Sequence, residues 1–244
     1  MSTEFFRLYE AIAAGVESEE IIRRTASAEL WSIVETDTAS GIAMTTVCDS
    51  IAPMYDAYEG LSLKEAARAV GSWNLTEASI ALAAANAYYN TMERMEALGA
   101  KEPYDNYCTA GLDFEGKTVG MIGHLRGPED MHKKAKKVYI LERSPQPGDY
   151  PDAACDFILP QCDIVLITGS SIINKTLPHL LELCRDAYTI LTGPSVPLCP
   201  ELLDLGIDRI AGMAVAHREG MRRHVLDNVY GTPYIHGESF MLQR

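Results

Sequence analysis

The sequence predicts an α/β chain in two parts, a small α+β domain over residues 1–110 and a doubly wound parallel sheet over residues 111–244. Three observations carry that prediction. Beyond residue 110, short β-branched runs alternate with helical stretches, the pattern of strands buried under helices. Two of those runs end in nearly identical turns, Thr168-Gly169-Ser170-Ser171 and Thr192-Gly193-Pro194-Ser195. Between the halves, residues 99–116 turn polar and lose all periodicity, as linkers do.

The elements follow in order. Phe5, Phe6, Leu8, Tyr9 and Ile12 stand near helical spacing and stop at Gly15, which predicts a helix over 3–14. Residues 29–35 and 41–47 read as two strands of a hairpin joined by the polar Thr36-Asp37-Thr38-Ala39-Ser40. Helices are expected over 62–70 and 75–98, the second rich in Ala and closed by Gly99. In the second half, strands are expected at 118–123, 137–141, 157–159, 163–168, 188–192 and 209–214. Helices fill the gaps, such as 177–186 with Pro178 in its first turn and 200–205 before Gly206. The tail 231–244 is weakly patterned.

Composition narrows the function. Apolar residues make up 47%, enough for a globular core, and no apolar run approaches the ~20 residues of a membrane span. The start already carries Glu4 and Arg7 in place of a leader, so the expected location is cytoplasmic. A formal charge of −13 argues against nucleic acid and anionic membrane surfaces as partners. The six cysteines show no Cys-x-x-Cys pair, so they read as reduced core thiols. The cofactor and any metal stay open, as does assembly into a homo-oligomer.

The candidate site comes from the strand ends, because open α/β sheets bind ligands beyond the carboxyl ends of their strands. Thr168, Gly169, Ser170 and Ser171, with Gly193, Pro194 and Ser195, offer free N–H groups and hydroxyls suited to a small anion or polar ring edge. On that reading Gly169→Val removes the ligand seat and leaves the fold intact. After the first strand, only Gly123 fits a Gly-x-Gly-x-x-Gly pattern; Leu125 and Pro128 stand where the other glycines belong. Glu142, 19 residues past Gly123, stands where a ribose-binding acid would, or else pairs with Arg143. His124 follows Gly123 directly and is a candidate proton shuttle or a plain turn residue. Asn174 is a candidate ligand reader, with Thr176 first of all the cap of the next helix. In the first domain Asn74 reads as an N-cap, with Glu77 three residues on, and as a candidate catalytic amide. Of the adjacent Thr45 and Thr46, one can face a shared cleft. The letters Gly111-Leu112-Asp113-Phe114-Glu115-Gly116-Lys117-Thr118 spell a P-loop but precede a strand instead of following one, so they are set aside.

Taken together, Gly41-Ile42-Ala43-Met44-Thr45, Gly71-Ser72-Trp73-Asn74 with Glu77-Ala78-Ser79, Glu142-Arg143-Ser144-Pro145, 163–176 and Gly193-Pro194-Ser195-Val196-Pro197-Leu198 resemble the bacterial and archaeal putative heavy-metal chelation family. The resemblance implies an enolase N-terminal-like domain joined to a Rossmann-like domain, with a cleft built from both. It implies a protein that binds and transforms a small polar or anionic molecule, pterin-, flavin- or siderophore-like, in connection with heavy-metal chelation. Two alternatives stay open: a non-catalytic binder of a metal or metal chelate, and a nucleotide- or S-adenosylmethionine-dependent transferase.

Overall fold

Apolar spacing forms the opening helix α1 (Thr3–Ala14), which buries Leu8, Tyr9 and Ile12. The computed structural model describes residues 3–102 and 108–244, so the polar stretch expected around the domain boundary lies partly outside the described residues. Strands β1 (Arg24–Ser27), β2 (Trp31–Glu35) and β3 (Ser40–Met44) make an antiparallel sheet in that order. β2 and β3 are the expected hairpin; β1, polar and half-exposed, carries no alternating signal in the sequence.

Helix α2 (Leu63–Ala67) opens on a capping box, in which the Ser62 hydroxyl accepts the N–H of Glu65 and the Glu65 carboxylate accepts the N–H of Ser62. The predicted long helix splits into α3 (Leu75–Tyr89) and α4 (Met92–Ala97). The break has a cause: Asn90 leaves helical geometry to donate to the Val196 carbonyl at 2.9 Å and accept the Leu198 N–H at 2.8 Å. α3 buries most of its residues, Glu77, Ser79 and Asn86 among them, which marks a central helix instead of a surface one.

The second sheet holds β4 (Thr118–Ile122), β5 (Lys137–Glu142), β6 (Tyr150–Pro151), β7 (Ile164–Thr168), β8 (Tyr188–Thr192), β9 (Arg209–Val215) and β10 (Gly237–Gln243). Helices α5 (Glu129–Lys134), α6 (Cys155–Ile158), α7 (Ser170–Ile173), α8 (Leu177–Leu183) and α9 (Arg218–Leu226) connect them. The spatial order is β10-β9-β8-β7-β4-β5-β6, with every pair parallel except β10 against β9. Six of these strands thus run in the 3-2-1-4-5-6 order of a doubly wound fold, whose direction of winding reverses between β4 and β7. This is the mixed α/β class that the sequence predicts.

Two elements differ from expectation. Residues 157–159, read as a strand, belong to α6 and the 3-10 turn after it; three apolar residues are too few to tell a strand from a helical turn. The weakly patterned tail becomes β10, an antiparallel edge that buries Phe240 and Met241.

One core cluster runs through both parts, from Leu8 and Ile12 to Val196, Ile210 and Phe240. Polar ties reinforce it. The buried Glu35 carboxylate on β2 takes Nε of Arg222 on α9 at 2.6 Å and Nη2 at 2.9 Å, with Arg24 alongside at 3.1 Å. Burial alone would raise the Glu35 pKa, but these two guanidiniums outweigh it and hold the carboxyl below its ordinary value. Arg218 seats the β2–β3 turn by donating to the Asp37, Thr36 and Ala39 carbonyls and the Ser40 hydroxyl.

Candidate functional site

The winding reversal brings the ends of β4 and β7 side by side, and Gly123 stands at that point with φ +96°, a conformation that favours glycine. A Cβ there would lie 3.4 Å from Thr168 Cβ and 3.9 Å from Glu142 Oε1, so three strand ends meet at one place. Glu142 is held there by backbone: Oε1 accepts the His124 N–H at 3.0 Å and Oε2 accepts the Arg143 N–H at 3.1 Å. Each carboxylate oxygen keeps a lone pair for a further donor. The alternative of a pairing with Arg143 is met through the Arg143 backbone N–H, while the Arg143 side chain faces Asp152 at 3.8 Å.

His124 also meets Asp149, a residue that no motif singles out. Its Nε2 lies 2.7 Å from Asp149 Oδ2, and that same oxygen accepts the Gln146 N–H at 2.7 Å. The Gln146 N–H, with His124 beside it, holds the Asp149 carboxyl below its ordinary pKa. An ionised Asp149 fixes the ring so that Nδ1 is the nitrogen left for another group.

The two Thr-Gly turns are neighbours. The Gly169 N–H donates to the Thr192 carbonyl at 2.8 Å, and a Cβ on Gly193 would stand 3.7 Å from the Gly169 nitrogen. Within them the residues divide by what they touch. Thr168 and Ser170 share a hydroxyl hydrogen bond at 3.1 Å and stay partly exposed, as do Gly193 and Pro194. Ser171 is buried and donates to the Thr168 carbonyl at 2.7 Å. Ser195 is buried too, its hydroxyl accepting the Met44 N–H at 2.8 Å and its carbonyl accepting from Asn86 at 3.1 Å. Gly169 has ordinary helical backbone angles, yet a Cβ would meet Val196 Cγ2 at 2.7 Å and Val196 N at 3.0 Å. Its missing side chain lets two turns pack together, so a side chain at 169 strikes Val196, and the expectation that Gly169→Val leaves the fold intact is corrected.

Two expected catalytic amides are occupied otherwise. Asn74 caps α3, accepting the Glu77 N–H at 2.9 Å and donating to the Ile51 carbonyl at 2.8 Å, so both ends of its buried amide are used. Asn174 Oδ1 accepts from the N–H of Thr176 at 3.1 Å and from its hydroxyl at 2.7 Å. Thr176 stands at the N-cap of α8 as expected, but its hydroxyl bonds backwards to Asn174 instead of capping the helix. Thr45 shares a hydroxyl hydrogen bond with Ser32 at 2.9 Å within the small sheet.

Lys175, like Asp149, is a residue that sequence reasoning missed. It has φ +67°, is only 7% exposed, and sends Nζ to the Val70 carbonyl at 2.6 Å and over the Tyr9 ring at 4.5 Å from its centre. Burial, with no carboxylate to offset it, pushes the amine down to about 7. Tyr9 and Val70 belong to the first part and Lys175 to the second, so the amine lies in the seam directly behind the Thr168–Asn174 turn.

A cavity of about 460 Å³ lies elsewhere, lined among others by Glu20, Ser40, Asn90, Arg94 and Arg218; it shares no residue with the strand-end turns. Among the described residues no group of three or more His, Cys, Asp or Glu side chains is disposed to hold a metal ion. No described helix is long and apolar enough to cross a membrane.

Several known proteins share this architecture. A protein of unknown function from the DUF364 family of Desulfitobacterium hafniense is 32% identical, with a TM-score of 0.84 over 98% of both chains. One from Pyrococcus horikoshii, 22% identical, shares the fold with a TM-score of 0.79 over 99% of this chain and 100% of that one. An uncharacterized protein of Methanocaldococcus jannaschii is 30% identical over 161 residues, 63% of this chain and 61% of that relative's length. Residues 9–89 match the DUF4213 profile and residues 110–238 the DUF364 profile, both described as putative heavy-metal chelation. With more than half of its length matched by the second profile, the chain belongs to the DUF364 putative heavy-metal chelation family.

Proposed function

We propose that the ledge formed by Gly123, Glu142, Thr168, Ser170, Gly193 and Pro194 binds a small polar molecule carrying adjacent hydroxyl or N–H donors, of pterin-, flavin- or siderophore-like character. The observation that carries this reading is the Glu142 carboxylate, fixed by two backbone N–H groups at the reversal point with acceptor capacity to spare. Two donors on one ring edge would complete it. Ser170 supplies a hydroxyl and Gly193 a turn without side-chain bulk.

Transformation of the ligand would fall to His124. With Nε2 held by Asp149, its Nδ1 can take or return a proton, and the histidine–carboxylate pair stands beside the carboxylate that orients the ligand. Among the described residues no three His, Cys, Asp or Glu side chains are disposed to hold an ion, which weighs against reading the ledge as a metal cage. A connection with heavy-metal chelation would therefore run through a ligand that itself chelates. The transferase alternative is weaker, because Leu125 and Pro128 fill the places where a pyrophosphate needs close backbone approach.

Calorimetric titration with a panel of pterins, flavins and catecholate chelators tests this. The wild-type chain should bind one of them, and Glu142→Gln, which halves the acceptor oxygens and removes the charge, should weaken that binding about tenfold or more. Unchanged affinity in Glu142→Gln would remove the ledge as the site.

A further inference from the structure

The cavity of about 460 Å³ takes its lining from the α3–α4 junction, from the β2–β3 turn, and from Val215 and Arg218 where β9 leads into α9. Arg94 of α4 belongs to that lining. Its Nε is buried and meets no acceptor, and its guanidinium enters no ion pair among the described residues. What holds it is stacking: the guanidinium carbon lies 4.1 Å from the centre of the Tyr88 ring and 5.6 Å from that of Tyr89. Stacking fixes the plane of the fork and leaves its N–H edge unmatched. Arg218 adds a second positive charge with no carboxylate against it. It donates to the carbonyls of Thr36, Asp37 and Ala39 and to the Ser40 hydroxyl, all neutral acceptors. The Asp37 carboxylate is itself taken by Arg23 at 2.8 Å. Thr91, which caps α4 by accepting the Arg94 N–H at 3.3 Å, still has its hydroxyl hydrogen to give.

A buried charged donor without an acceptor is costly, and folded chains seldom keep one that nothing else satisfies. We propose that this cavity binds a small organic monocarboxylate, with the carboxylate on Arg94 and the apolar body against Leu63, Met92 and Val215. Three features select that class. The planar guanidinium fork matches the two oxygens of a carboxylate. Glu20 and Glu93 share the lining and repel a doubly charged phosphate more than a single negative charge. The volume falls in the range of small-molecule pockets. The site shares no residue with the strand-end ledge and does not rest on how the ledge is read.

Calorimetric titration of the full chain with benzoate and hexanoate tests the proposal, with benzamide, hexanamide and inorganic phosphate as controls. One of the two carboxylates is expected to bind, and the amides and phosphate to bind about tenfold more weakly or not at all. Arg94→Lys keeps the charge without the fork and should weaken binding about tenfold or more. Arg94→Met keeps an apolar stem over Tyr88 and should abolish binding. The bound carboxylate should raise the thermal midpoint of the wild-type chain and leave that of Arg94→Met where it stands, whatever stability the variant has by itself. Should Arg94→Met fail to fold, as judged by circular dichroism, Arg94→Lys carries the decision. Glu142→Gln should bind the carboxylate as the wild type does, which separates this site from the ledge. Failure of both carboxylates to bind at millimolar concentration, tighter binding of phosphate than of either, or wild-type affinity in the Arg94 variants would overturn the proposal.

Discussion

Gly169→Val is expected to yield a chain that is unfolded or destabilised by several kcal/mol, and not a folded chain that has merely lost its ligand. The backbone at 169 is helical and tolerates any residue, so the effect is steric. A Cβ already meets Val196 Cγ2 and Val196 N, and a neighbour that could yield would soften the clash. This neighbour cannot yield. The 195–198 segment is tied by Met44, Asn86 and Asn90 through bonds of 2.8, 3.1, 2.9 and 2.8 Å. Overpacking by a methyl group costs about 1–3 kcal/mol, and the two further methyls of Val add to it, against a total stability of about 5–15 kcal/mol. Urea midpoints should fall in the order wild type, Gly169→Ala, Gly169→Val; a wild-type midpoint for the valine variant would show that the two turns are not packed as described.

Lys175→Met is expected to flatten the pH dependence of stability just above neutrality. The folded-state pKa of Lys175 is lowered to about 7 from an ordinary value of 10.5, so the unfolded chain holds a proton there that the folded chain releases. Stability from this group therefore rises with pH through that window and is least below pH 7. Between pH 7 and 8.5 the rise is about 1.5 kcal/mol. The window stops there because the buried thiols of Cys162, Cys184 and Cys199, all raised by burial, oppose it at higher pH. Chemical denaturation of both chains across pH 7–8.5 reads the difference. Equal slopes would mean that the amine is solvated and the seam is looser than its distances indicate.

The strand ends were legible because two physical signals coincide there. β-branched runs such as Ile164-Val165-Leu166-Ile167 read as buried strands, and a Gly followed by hydroxyl residues reads as the turn that ends them. Glu142 was legible from its distance past Gly123 alone. The seam was not. Lys175 stands between Asn174 and Thr176 like a surface charge, and its carbonyl partner is 105 residues away. Asn90 reads as helix interior until the loop at 196–198 claims its amide. Asn74 shows the converse: its cap was legible from Glu77 three residues on, and the cap uses the amide completely. Ser195 looked like a ligand contact because its turn repeats that of Ser171, while both hydroxyls turn inward to the protein.

The most direct test of the ledge as ligand site is a crystal structure of the chain purified without stripping of small molecules, or soaked with the best binder from the titration. Density bridging Glu142 and Ser170 beside Gly123 is the predicted result. A ligand seated only in the cavity lined by Arg94 and Arg218, with the strand ends occupied by water, would contradict it.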